Sequence, residues 1–158
     1  MILYDKLPEL RDLSCGSRIA YARQFRHMTQ QKLGEAIGMS NDRIRNRVCR
    51  YEKGGRTPKK DRIRDMAKVL GVSEGMLKVY DFRDPLDFLY EMFWVEELFP
   101  VLDFNLKKKG IPDLDACKAF EKEYKKWRKV QLQFEKKQLT KREYMEWKLT
   151  FLPEGYRR

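Results

Sequence analysis

Residues 29–40 read Thr29-Gln30-Gln31-Lys32-Leu33-Gly34-Glu35-Ala36-Ile37-Gly38-Met39-Ser40, and ten residues further on comes Tyr51-Glu52-Lys53-Gly54. Thr29 suits a helix N-cap, because its hydroxyl accepts a hydrogen bond from an amide that the first turn leaves unpaired. The helix behind it carries Leu33, Ala36 and Ile37 on one face, and Gly38 supplies the left-handed residue that ends it. A second helix follows almost at once. Ile44, Val48 and Tyr51 recur at spacings of four and three and form its apolar stripe, while Arg43, Arg45, Arg47 and Arg50 fall outside the stripe. The stripe is uninterrupted, which predicts that this helix is already formed by Asp42 or Arg43.

Two short helices joined by a Gly-containing turn, the second apolar inside and cationic outside, make a helix-turn-helix. From Gly16 to about Tyr80 the chain resembles the DNA-binding domain of the lambda Cro and repressor type, the XRE family of bacterial regulators. The residues that carry the resemblance are Ile19 and Arg23, Thr29-Gln30 with Leu33 and Gly38, Tyr51-Glu52-Lys53-Gly54, Arg56-Thr57-Pro58, Ala67, Leu70-Gly71-Val72-Ser73 and Leu77. Between Ser40 and Tyr51 the chain exceeds the family pattern by about one helical turn, either in the turn or in the recognition helix. This extended form is similar to a recurrent branch of the family in Gram-positive bacteria. The resemblance implies five short helices around one core and a semi-buried pairing of Glu52 with Arg23. It also implies that Gln30 clamps the DNA backbone and braces a side chain of the recognition helix.

A chain of 158 residues, 42% of them hydrophobic, holds one compact domain or two small ones. No apolar run approaches the roughly 20 residues of a membrane span and no signal-peptide pattern is present, so a cytoplasmic protein with no membrane partner is expected. Cys15, Cys49 and Cys117 lie far apart and read as reduced, mostly buried thiols, and His27 is the single histidine. Zinc spacing is absent, and any Ser-His-Asp or Cys-His arrangement would have to use His27. The expectation is therefore no metal, no cofactor and no enzyme.

The net charge of +11 is unevenly placed: residues 14–80 hold 16 basic and 6 acidic side chains, residues 81–106 sum to −6, and residues 107–158 to +8. Within 41–64, ten Lys or Arg stand against Asp42, Glu52 and Asp61. Such a density, coinciding with a helix-turn-helix, points to a polyanionic partner.

The chain divides on paper into an N-terminal arm (1–13), a helix-turn-helix domain (14–80), a linker (81–85) and a C-terminal helical domain for dimerisation or partner binding (86–158). The arm, with Leu3, Tyr4, Leu7, Leu10 and Leu13, is expected to pack on the first domain or on a partner subunit. Helix one is expected from Gly16 to Arg26, with Ile19, Ala22 and either Phe25 or Ala20 turned inward. Helix four is expected to have Thr57 as N-cap and Pro58 as its first residue, with a stripe of Ile63, Met66, Ala67 and Leu70 before Gly71. Ser73 then caps a fifth helix through Met76 and Leu77.

Asp84-Pro85 restarts a helix over Leu86–Leu98 that carries Leu86, Phe88, Leu89, Tyr90, Met92, Phe93, Trp94 and Val95, too many apolar groups for one stripe. Such a helix is buried on several sides, at a junction or a subunit interface. Alternation of Leu102, Phe104 and Leu106 with Asp103 and Asn105 suggests a short strand over Val101–Leu106, turning at Lys107–Gly110. From Asp113 a long helix shows Leu114, Cys117, Phe120, Tyr124, Trp127, Gln131 and Phe134 on one face, and its lysines read as a solvated outer face. Thr140 and Glu143 form a capping box for a last helix bearing Tyr144, Trp147 and Leu149, so the end folds back as a hairpin. The fold class is mainly α: a five-helix lambda-repressor-like DNA-binding domain followed by a smaller helical C-terminal region with a short strand or hairpin.

At about 100° per residue, the face opposite Ile44, Val48 and Tyr51 centres on Asn46. Asn reads adenine and Arg reads guanine through paired hydrogen bonds, so Asn41, Arg43, Asn46, Arg47 and Arg50 are the base-contact candidates. Gln30, Arg45, Lys53, Arg56, Lys59 and Lys60 are the phosphate candidates, at or beside the ends of the motif helices. The reading is a sequence-specific repressor that binds double-stranded DNA as a homodimer. Its rival is an antitoxin that represses its own operon and holds a protein toxin through its C-terminal half.

Overall fold

A computed structural model of the chain describes residues 6–40, 43–78, 85–98 and 118–154. All regular structure among these residues is helical: α1 (Cys15–Phe25), α2 (Gln30–Ala36), α3 (Ile44–Glu52), α4 (Lys60–Leu70), α5 (Glu74–Leu77), α6 (Pro85–Leu98), α7 (Lys118–Glu135) and α8 (Lys141–Thr150). The chain forms two compact units, Met1–Val79 and Tyr80–Arg158. The strand expected over Val101–Leu106, the turn after it and the Asp113 cap lie outside the described residues.

In the first unit, α1 starts one residue earlier than expected, because the Ser14 hydroxyl accepts from Ser17 N. Its inward residues are Ile19, Ala22 and Phe25, all fully buried, with Ala20 only partly covered. Thr29 caps α2 by accepting from Lys32 N at 3.1 Å, and Gly38 adopts φ 74° just beyond its end. Ala36 departs from expectation and is exposed; the small residue that meets the core is Gly34. A Cβ on Gly34 would lie 2.1 Å from Ile44 Cγ2, so glycine sets how closely α2 and α3 cross.

Two further starts differ from the sequence reading. α3 begins at Ile44 with Arg43 at its N-cap in a non-helical conformation (φ −116°, ψ 22°). The helix is therefore not yet formed at Arg43, and Asp42 lies outside the described residues. α4 begins at Lys60, not at Thr57-Pro58, with Lys59 extended at its N-cap (ψ 158°). Pro58 is buried in the non-helical segment before α4. The stripe of α4 is as expected, with Ile63, Met66, Ala67 and Leu70 buried and Gly71 left-handed at its C-cap (φ 60°).

In the second unit, α7 packs against α6 and α8. Leu86, Leu89, Tyr90, Met92, Phe93 and Trp94 of α6 are buried, so that helix is enclosed on several sides as its composition requires. Phe93 meets the rings of Trp127 and Phe151 edge-on, each at 5.2 Å between centroids. The Thr140–Glu143 capping box forms. Its hydrogen bonds, first from the Thr140 backbone and then from its hydroxyl, hold the Glu143 carboxyl below the usual range. A polar knot ties the three helices: Glu96 Oε2 accepts from Tyr144 Oη at 2.8 Å and from the buried Lys148 Nζ at 3.2 Å, and Trp127 Nε1 donates to Tyr144 Oη at 2.7 Å. Burial, with Glu96 alongside, pushes the Tyr144 hydroxyl well above its ordinary value. Of the outer lysines of α7, Lys122 and Lys126 pair with Glu154 and Lys125 with Glu121.

Candidate nucleic-acid interface

The interface is built on α3. Its inner side consists of Ile44, Val48, Tyr51 and Glu52, all buried, and Ile44 and Val48 lie over Gly34. That register leaves Arg43, Arg45, Asn46, Arg47 and Arg50 exposed, the five members of the candidate set that α3 and its N-cap supply. Lys53, Arg56, Lys59 and Lys60 are also exposed, after α3 and at the start of α4. Asn41 lies outside the described residues.

Glu52 locks the last turn of α3 to the rest of the unit. Arg23 Nε donates to Glu52 Oε1 at 2.6 Å and Arg23 Nη2 to Oε2 at 3.0 Å, a bidentate pair in which both side chains are nearly buried. Gln30 Nε2 adds a third donor to Oε2 at 2.8 Å. Gln30 is half-buried, and through Nε2 its side chain reaches the end of α3. The remaining Arg23 nitrogen, Nη1, donates to Met28 O at 2.6 Å and so fixes the turn that leads into α2.

Sequence reasoning missed a second use of the positive charge. Arg62 Nη1 donates to Ile37 O at the end of α2 (2.6 Å), Arg26 Nε to Leu70 O at the end of α4 (2.7 Å), and Arg18 Nη1 to Lys78 O at the end of α5 (3.0 Å). Each is a cation on carbonyls that a helix terminus leaves unpaired, where the macrodipole also favours it. These partners lie 25, 44 and 60 residues apart in sequence, beyond any spacing rule. Part of the charge on residues 14–80 therefore holds the fold, and the outward excess is concentrated on α3 and the segment after it.

Cys15 is buried and free, its thiol pushed up by that burial, and Cys49 is half-buried and free; Cys117 lies outside the described residues. Among the described residues no group of His, Cys, Asp and Glu could hold a metal ion, and no helix is long and apolar enough to cross a membrane.

Two curated relatives are each 35% identical over 72 residues: an uncharacterized HTH-type transcriptional regulator of Sinorhizobium medicae (strain WSM419) and one of Rhizobium meliloti (strain 1021). The similarity covers 46% of this chain and 49% of each relative, so the chain spans about half the length of the curated relatives it matches. No solved structure matches the chain. The family model for the helix-turn-helix matches residues 19–77, which run from the core of α1 to the last residue of α5. The chain carries a helix-turn-helix domain at residues 19–77, with α2 and α3 as its two motif helices.

Proposed function

We propose that the protein is a sequence-specific transcriptional repressor that docks α3 in the major groove of duplex DNA and binds as a homodimer. The observation that carries this is the exposed row Arg43, Arg45, Asn46, Arg47 and Arg50 on a helix whose opposite side is fixed by Ile44, Val48, Tyr51 and Glu52. A rigid cationic helix beside further exposed cations suits a groove walled by phosphates. Asn46 at the centre reads an adenine, and Arg43, Arg47 and Arg50 read guanines or adjoining phosphates. Asn41 belongs to the same set at the approach to α3. Arg45, Lys53, Arg56, Lys59 and Lys60 hold phosphates, with Gln30 serving chiefly to brace Glu52. The names of the two relatives support regulation of transcription as the setting.

Selection of bound sequences from random duplex DNA tests the proposal. The expected result is a palindromic consensus, whose two half-sites report a two-fold dimer. Retention of all sequences alike, with no consensus, overturns the sequence-specific reading.

A further inference from the structure

The last four carbonyls of α3 each find a separate partner. Lys53 N donates to Cys49 O at 2.9 Å, Arg56 N to Arg50 O at 3.3 Å, and Gly54 N to Tyr51 O at 3.2 Å. The fourth, Glu52 O, accepts from Arg11 Nη2 at 3.0 Å, a side chain 41 residues away in the N-terminal arm. Buried or half-buried carbonyls at a helix end need such partners, and here one of the four depends on a residue outside the five-helix domain.

Arg11 is itself held. Its Nε donates to Asp12 Oδ2 at 3.0 Å, while Asp12 Oδ1 accepts from Ser14 N at 2.9 Å and Ser17 Oγ at 2.6 Å. The guanidinium is thus framed on the first turn of α1. That turn abuts the end of α3 directly: a Cβ on Gly16 would lie 2.3 Å from Tyr51 O and 2.7 Å from Glu52 O. The positive end of α1 faces the negative end of α3, a favourable pairing of dipoles that Arg11 reinforces.

We propose that Arg11, oriented by Asp12, is a positioning residue for α3, fixing the end of the reading helix and thereby setting DNA affinity without meeting DNA. The proposal deepens the DNA-binding reading above and rests on it. Arg11 is more than half exposed, so the competing role is a phosphate contact, and the two roles differ in salt dependence.

Full-length R11A and D12N are compared with wild type on duplex DNA, at a temperature where circular dichroism shows all three folded. R11A is expected to raise Kd by about threefold to tenfold, with the wild-type slope of log Kd against log salt, and D12N to act in the same direction more weakly. A wild-type Kd for R11A overturns the proposal, and so does a slope reduced by roughly one unit, the mark of a lost phosphate contact. Hydrogen exchange reads positioning without DNA: the Lys53 and Gly54 amides should exchange faster in R11A, and unchanged exchange also overturns the proposal. Wild-type protein that binds no duplex DNA overturns the functional reading instead, and leaves the exchange measurement to decide the positioning.

Discussion

α3 and α6 put their apolar residues to opposite uses. On α3 a narrow stripe of Ile44, Val48 and Tyr51 is buried, and the remaining faces carry cations into solvent. On α6 apolar side chains extend nearly all round and most of them are buried; Phe88, at 44% exposed, is its one exposed large hydrophobic residue. A helix with one satisfied stripe and a uniform charged remainder is left for a partner; a helix enclosed on several sides holds a core. The comparison also bears on assembly. The proposed homodimer needs surface that each protomer leaves open, and the buried apolar groups of α6 do not supply it. Phe88, Leu132 and Leu152 are the exposed large hydrophobics among the described residues.

The buried ion pairs break the comparison most sharply. Arg23 and Glu52 are 11% and 7% exposed at their side chains, and removing either leaves the other charge buried. Arg23→Ala is expected to cost the first unit about 3–5 kcal/mol and to abolish DNA binding, since Glu52 ends α3. Lys148 in the second unit is 2% exposed, yet after Lys148→Ala the Glu96 carboxylate keeps Tyr144 and Gln131, and Glu97 keeps Lys141. That loss should be nearer 1–3 kcal/mol, with DNA binding intact. Urea denaturation and a DNA titration on both variants check this. Equal loss of DNA binding in the two would show that the second unit contributes to the interface after all.

What could be read in advance follows from range. The α3 stripe, the Thr29 cap, the Thr140–Glu143 box and the left-handed Gly38 and Gly71 involve residues within four positions of each other, where periodicity and capping rules act. The Arg23–Glu52 pair was legible through resemblance alone. The arginines on helix ends were not, because their partners are main-chain carbonyls brought close by packing. Ala36 was misplaced for a related reason: α2 is seven residues long, too short for its periodicity to distinguish a core position from its neighbour. Pro58 suggested a helix start, but Lys59 is extended and α4 starts at Lys60.

Within α3 itself, two substitutions two residues apart should separate fold from recognition. Ile44 is 7% exposed and packs where Gly34 leaves room, so Ile44→Ala is expected to cost about 2–5 kcal/mol of stability, with the base preference of the folded fraction unchanged. Asn46→Ala, on the opposite face, should alter stability by no more than about 0.5 kcal/mol. It should weaken specific binding by about 1–3 kcal/mol and relax preference at particular base pairs. Denaturation curves and repeated sequence selection measure both. An unchanged consensus for Asn46→Ala with an altered one for Ile44→Ala would mean that α3 presents a different face.

The smallest effect carries a sign that a purely structural role would not give. Lys60 opens α4 and Lys59 caps it, so both cations sit at the positive end of the helix dipole, where an exposed charge of that sign is disfavoured by about 0.3–1 kcal/mol. Removing such a charge relieves the fold. Lys60→Gln should therefore leave the first unit as stable as before or slightly more so, while weakening binding to all DNA sequences alike. It should also reduce the slope of log K against log salt by roughly one unit. The two readouts then move in opposite directions, as they must if the lysine is held against the dipole for an anion outside the protein. Stability and affinity falling together, or a salt slope equal to that of the wild type, would remove Lys60 from the phosphate contacts and leave them to Arg45, Lys53, Arg56 and Lys59.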